Sequence, residues 1–145
     1  MGNGKDKFRE RSRSTLRRER GNEPLRDGAP RRLLVLSFKD LDRNQGQRPS
    51  VWEERKLLAL VIEHLQGLCH QTPADAKRLG LLHHYGPNCI PKDSGFTHPR
   101  HVPLDAEWCS IRVQGRPRVI GYIDDNILYI VFLDIDHEFW PSELG

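Results

Sequence analysis

Six side chains able to bind zinc crowd one stretch: His83, His84, Cys89, His98 and His101, with Cys109 just beyond. Imidazole and thiolate are zinc ligands, and the spacing of His98 and His101 is usable. Yet no ligand pair repeats along the chain, and no CxxC occurs. The reading is therefore weaker than a paired-cysteine motif. A second group with chemical potential is Arg112, Arg116 and Arg118, which alternate along a β-type segment. They fit either phosphate contacts or the exposed, solubilising face of a strand. The cysteines offer little as nucleophiles. Cys69 falls at a helix end, and Cys109 begins a strand without an evident activating partner.

These residues must be carried by regular elements, and the chain supplies them in a clear order. Residues 1–32 hold eleven Lys and Arg against five Asp and Glu, whereas the remainder is slightly acidic. Phe8, Leu16 and Leu25 are the large apolar side chains of residues 1–31. They are too few to offset the entropy of ordering that backbone, so residues 1–31 read as a disordered basic tail. Such a tail points to a polyanion, usually nucleic acid, although solubility explains it as well. The rest, residues 32–145, has the size of one domain. Three cysteines without a recognisable secretory signal point to reduced thiols and a cytoplasmic setting. No apolar run nears the roughly 20 residues of a membrane span.

Within that domain Arg32–Phe38 is a nearly continuous apolar run, the pattern of a strand buried on both faces. Ser50, with Glu53 three residues on, has the form of a capping box. Behind it Val51, Leu58, Val61, Ile62, Leu65 and Leu68 recur at helical spacing, which predicts one long helix over about 51–69. Thr72, followed by Pro73, starts a short helix that Gly80 can end. Residues 81–107 carry no periodicity and read as a long His-, Pro- and Gly-rich loop. Three strands follow, at Trp108–Gln114, Pro117–Asp124 and Ile127–Asp134, separated by Gly115-Arg116 and by Asp124-Asp125-Asn126. The expected fold is α+β in the order β-α-α-β-β-β, an antiparallel sheet covered on one face by the long helix.

The segment Trp108–Tyr122, with Arg112, Arg116 and Arg118 around its turn, resembles the central hairpin of the RelE/ParE toxin superfamily, YoeB-like members in particular. Ile127–Leu133 is similar to that family's next strand. Asp134–Trp140 falls where those toxins carry a C-terminal catalytic cluster. The resemblance spans about residues 32–141, with its detail from Trp108 onward, and also touches small bacterial families of that fold whose last strand ends in Asp-x-x-His. It implies a metal-independent endoribonuclease acting on mRNA, in which a 2′-hydroxyl attacks the adjacent phosphate. Such chemistry needs a proton acceptor, a cation for the developing phosphorane charge and an acid for the leaving oxygen. Carried over by position, Arg118 is the stabilising cation and Arg112 and Arg116 are phosphate contacts. His137 is then the acid or base, Glu107 or Glu138 the general base, and Tyr122 and Trp140 stack on bases.

No cofactor or metal is implied. RNA or the ribosome would be the target, and a protein antitoxin the partner. This chain departs from the pattern where Asp134 and Asp136 flank His137 and where a C-terminal Arg or Lys is missing. A non-catalytic relative that docks on a partner protein or nucleic acid is the alternative expectation, and a zinc-stabilised accessory domain is a third. For His137 the simpler role is a strand-end residue beside Asp134 or Asp136. For Trp108, Tyr129, Phe132 and Trp140 the simpler role is core packing.

Overall fold

A computed structural model describes residues 32–87 and 90–141. The basic tail and Cys89 therefore lie outside the described residues. The first strand, β1, is Val35–Ser37, shorter than its apolar run. Two helices follow, α1 at Pro49–Glu54 and α2 at Leu58–Leu68, where the periodicity predicts one. Angular phase explains the break. At 3.6 residues per turn Trp52 would point roughly 180° away from Val61 and close to opposite Leu65 and Leu68. One straight helix cannot bury both sets, yet all four side chains are fully buried. The chain resolves the conflict with a Schellman turn. Lys56 takes a φ of 60°, its N–H reaches the Glu53 carbonyl and the Leu57 N–H reaches that of Trp52. The expected capping box is not formed either. Pro49 occupies the first turn, the N-cap is Arg48 without a side-chain bond, and Ser50 lies inside the helix.

The third helix, α3 at Pro73–Arg78, forms as its residues dictate. Thr72 Oγ1 accepts the Asp75 N–H at 3.1 Å, and Gly80, at φ 73°, closes the same type of C-terminal turn. The stretch expected to be a loop then contributes a strand, β2 at His83–Pro87. The last three strands match the reading closely: β3 at Glu107–Arg112, β4 at Arg118–Asp124 and β5 at Ile127–Asp134.

The sheet order is β1-β5-β4-β3-β2. The fold is α+β, but the sheet is mixed rather than antiparallel. β1 runs parallel to β5, while β2 through β5 are antiparallel neighbours. Because β1 pairs only with the first part of β5, the chain after it continues along the same edge. Asp42 N donates to Val131 O at 2.8 Å and Gln47 N to Leu133 O at 3.0 Å. Gln47 Oε1 accepts from Ile135 N and from the Trp52 indole, which ties the α1 entry to the end of β5.

Both faces of the sheet are covered. Cys109, Ile111, Val119, Leu128, Ile130 and Leu133 pack with Trp52, Val61, Leu65, Leu68 and Ala76 of the helices. On the opposite face Trp108, Ile120, Tyr122, Val131 and Phe132 pack with Phe96, Val102, Ala106 and Phe139. A β-bulge makes this second face possible. Ile120 pairs with Phe132 and Gly121 with Ile130, so Val131 is the extra residue and both it and Phe132 turn to the aromatic side. The aperiodic segment before Glu107 thus supplies the lid of a second hydrophobic layer.

Candidate functional site

The C-terminal cluster is built on a capping turn. At the end of β5 the Asp134 carboxylate is almost fully buried and accepts the backbone N–H groups of Glu138 and Phe139, both at 2.8 Å. Burial raises its pKa. The two backbone hydrogen bonds and the nearby His137 oppose that shift without cancelling it. His137 sits in the turn at φ 58° and is 1% exposed. Phe139 behind it is fully buried, and Trp140 lies flat on Tyr85 at 4.4 Å between ring centroids. The sequence Asp-Ile-Asp-His therefore folds into a closed turn with its imidazole inside.

The arginines divide between two environments. Arg112 is exposed at the end of β3, and Arg116 is exposed with its Nε donating to Asp136 O at 3.1 Å. Arg118 is 7% exposed, and its Nη1 donates to the carbonyls of Gly115, Arg116 and Pro117. The ladder places Arg118 between Arg112 on one side and Asp134 on the other. Hence Arg116, Arg118 and the Asp134 turn do come together at one end of the sheet. Glu107 does not join them. It lies five residues from Arg112 along β3, about 17 Å at strand rise, and its carboxylate bonds His84 Nε2 at 3.0 Å. Tyr122 is at that far end too, opposite Trp108 in the ladder. Its ring is 5% exposed and stacks on Tyr129, and so offers no face to a nucleobase. Glu138 is exposed, and its carbonyl accepts the Gly95 N–H.

The histidines of residues 83–101 are spent separately. His84 pairs with Glu107, His98 donates to Val102 O at 3.0 Å, and His101 donates to Asp40 O at 2.7 Å. Among the described residues no three His, Cys, Asp or Glu side chains are grouped to hold a metal ion. Cys109 is fully buried and its thiol is pushed up to about 12.

An open site lies elsewhere. Residues 39–45, after β1, and residues 97–101 form the walls of a cleft of about 650 Å³. The walls are stitched together. Gln45 Oε1 accepts the Thr97 N–H at 2.8 Å, and its Nε2 donates to Thr97 O at 2.9 Å. Asp42 Oδ1 accepts the Asn44 and Gln45 N–H groups, which closes the first wall on itself. Asp40 is buried in the cleft lining. Its carboxylate accepts from Tyr122 Oη at 2.5 Å and from Lys39 Nζ at 3.0 Å, and Lys39 also lies over the Tyr129 ring. Arg43, Arg100 and His101 line the cleft and are exposed. Sequence reasoning passed over Lys39, Asp40, Arg43 and Arg100, because the pairing of the two segments is decided 52 residues apart. The available signal was the Asx-turn chemistry from Asp42 to Gly46 together with the His98–His101 spacing.

Asp40 and Tyr122 make a pH-sensitive pair. Burial works to raise the Asp40 pKa, but the hydrogen bonds from Tyr122 and Lys39 and the charges of Lys39 and His101 outweigh it, leaving it below 3.8. Burial pushes the Tyr122 phenol above its ordinary 10.0, and the Asp40 bond and charge add to that. A lowered acid contributes stability above pH 3.8 that disappears as pH falls through the folded value. A raised phenol contributes stability below pH 10 that disappears as pH rises through its folded value. In urea unfolding followed against pH, Asp40→Asn is expected to flatten the acid limb. Tyr122→Phe should flatten the alkaline limb and weaken the acid one. Variant curves running parallel to the parent at both extremes would discard the pair.

Comparison of the chain with protein-family models, curated proteins and solved structures found no match. Among the described residues no helix is long and apolar enough to cross a membrane.

Proposed function

We propose that this chain is a non-catalytic α+β binding module that docks on nucleic acid. The observation that carries this reading is how the charges are distributed. His137 and Arg118, which a nuclease would aim at a scissile phosphate, are sealed into turns, whereas Arg43, Arg100, Arg112 and Arg116 are exposed. A general acid must reach the proton it moves, and an imidazole 1% exposed does not reach a polymer. Surface guanidinium groups contact phosphates without moving any proton. The excess positive charge of residues 1–32 supports the same partner.

The endoribonuclease reading, with RelE/ParE kinship and a protein antitoxin as partner, draws its support from the Arg112–Arg118 hairpin and the order of the last three strands. One assay separates the two. With a labelled single-stranded RNA, binding by fluorescence anisotropy is expected to weaken steeply with salt, and the RNA should remain intact on a denaturing gel. RNA cleavage that Arg112→Gln or Glu107→Gln slows would replace the binding module with the nuclease. Binding indifferent to salt would remove nucleic acid as the partner.

A further inference from the structure

We infer that the cleft between residues 39–45 and 97–101 is a phosphate site, with Arg43 and Arg100 supplying the uncommitted charge and Lys39 a third, pre-positioned cation. This deepens the nucleic-acid reading and rests on it only for the source of the phosphate. At about 650 Å³ the cleft has the size of a small-ligand pocket. Among the described residues neither Arg43 nor Arg100 has a carboxylate partner. Guanidinium is the cation whose planar donors match phosphate oxygens in pairs.

The charge balance of the lining decides the sign of the ligand. Asp40 and Asp42 both line the cleft, and both already accept hydrogen bonds. Asp40 is bonded to Tyr122 and Lys39, and Asp42 to two backbone N–H groups of its own turn. Lys39, Arg43 and Arg100 outnumber these two carboxylates in the lining, so its net charge favours an anion. The Asp40 carboxylate and the Tyr129 ring also flank the Lys39 ammonium, on a side chain that is otherwise exposed. Less side-chain entropy then remains to be lost on binding.

His101 adds direction to the site. Its Nε2 is the donor to the Asp40 carbonyl, so Nδ1 of the neutral ring is an acceptor, suited to a hydroxyl on the body of the ligand and not to its phosphate oxygens. The walls keep these groups in place through the double bond between the Gln45 amide and the Thr97 backbone. The ligand class that fits is a phosphate group carried on a small polar body, such as one nucleotide of a strand or a free nucleoside monophosphate.

Calorimetric titration of the full chain with a nucleoside monophosphate, with inorganic phosphate and with single-stranded RNA tests the assignment. Arg43→Gln/Arg100→Gln is compared with the parent after thermal unfolding confirms that both are folded. The monophosphate is expected to bind the parent, and the double variant to bind it at least tenfold more weakly. For RNA the same variant should reduce the slope of log affinity against log salt by about 2. Gln45→Ala, which frees one wall, should weaken the monophosphate several-fold. RNA binding that the double variant leaves unchanged, with no monophosphate binding, would end the cleft assignment and leave the binding module standing. Arginine-dependent monophosphate binding without any RNA binding would keep the cleft and end the nucleic-acid reading. Failure of all three probes to bind would end both.

Discussion

Gly121→Ala is expected to destabilise the domain by about 3 kcal/mol, the upper range for forcing an atom into a packed interior. Gly121 sits at the bulge between β4 and β5. A Cβ built there lands on the Tyr129 carbonyl oxygen and presses on the Ile130 backbone. Those atoms belong to the ladder itself and cannot move aside as a flexible side chain would. Relief requires the bulge to slip, and a slip of one residue would turn Val131 and Phe132 away from the aromatic layer. Urea unfolding should register the loss as a lower midpoint at unchanged slope. Gly67→Ala is the matched control. It lies in α2 with open space around it, and helix propensity alone predicts a small gain. A Gly121→Ala variant as stable as the parent would mean that the strands do not pair through this bulge.

Trp108→Ala should cost about 3–5 kcal/mol, the range for truncating a fully buried large aromatic. Its indole is the hub of the second layer. It stacks on Phe132 at 5.6 Å, meets Phe139 at 5.3 Å, and meets His98 and Tyr122 edge-on. His98 belongs to the segment that covers this face, so the truncation should also expose residues 90–106 to limited proteolysis before the domain unfolds. Trp108→Phe separates shape from polarity. The buried indole N–H has no acceptor among the described residues, and leaving a donor in that condition costs about 1–3 kcal/mol. Phenylalanine removes that penalty along with some packing area, so its net cost should be less than half that of alanine. Equal losses for the two substitutions would show that the indole N–H is paired in the folded protein.

Several local signals were decisive by amino-acid order alone, although the Ser50–Glu53 capping box was not. Thr72-Pro73 and Gly80 delimit α3 because a side-chain cap, a missing N–H and an unhindered positive φ act over three or four residues. The three closing strands are legible because turn residues at Gly115 and Asp125 separate short runs rich in β-branched and aromatic side chains. The α+β class followed from that order. The same turn chemistry hid the break after α1, since Lys56 adopts a conformation that glycine would have advertised. Only the demand to bury Trp52 together with Val61, Leu65 and Leu68 explains it.

The sites divided in the same way. Residue type marked Arg118 and His137 as able to bind phosphate and move protons, but exposure is a property of the whole packed chain. Tertiary structure spent Arg118 on its own turn and enclosed His137 beneath the Asp134 cap. It also brought Gln45 to Thr97 and His101 to Asp40, pairings that no periodicity encodes. Composition determined which chemistries the molecule carries. Long-range packing decided which of them meet solvent, because a side chain's access to water depends on neighbours far away in the chain.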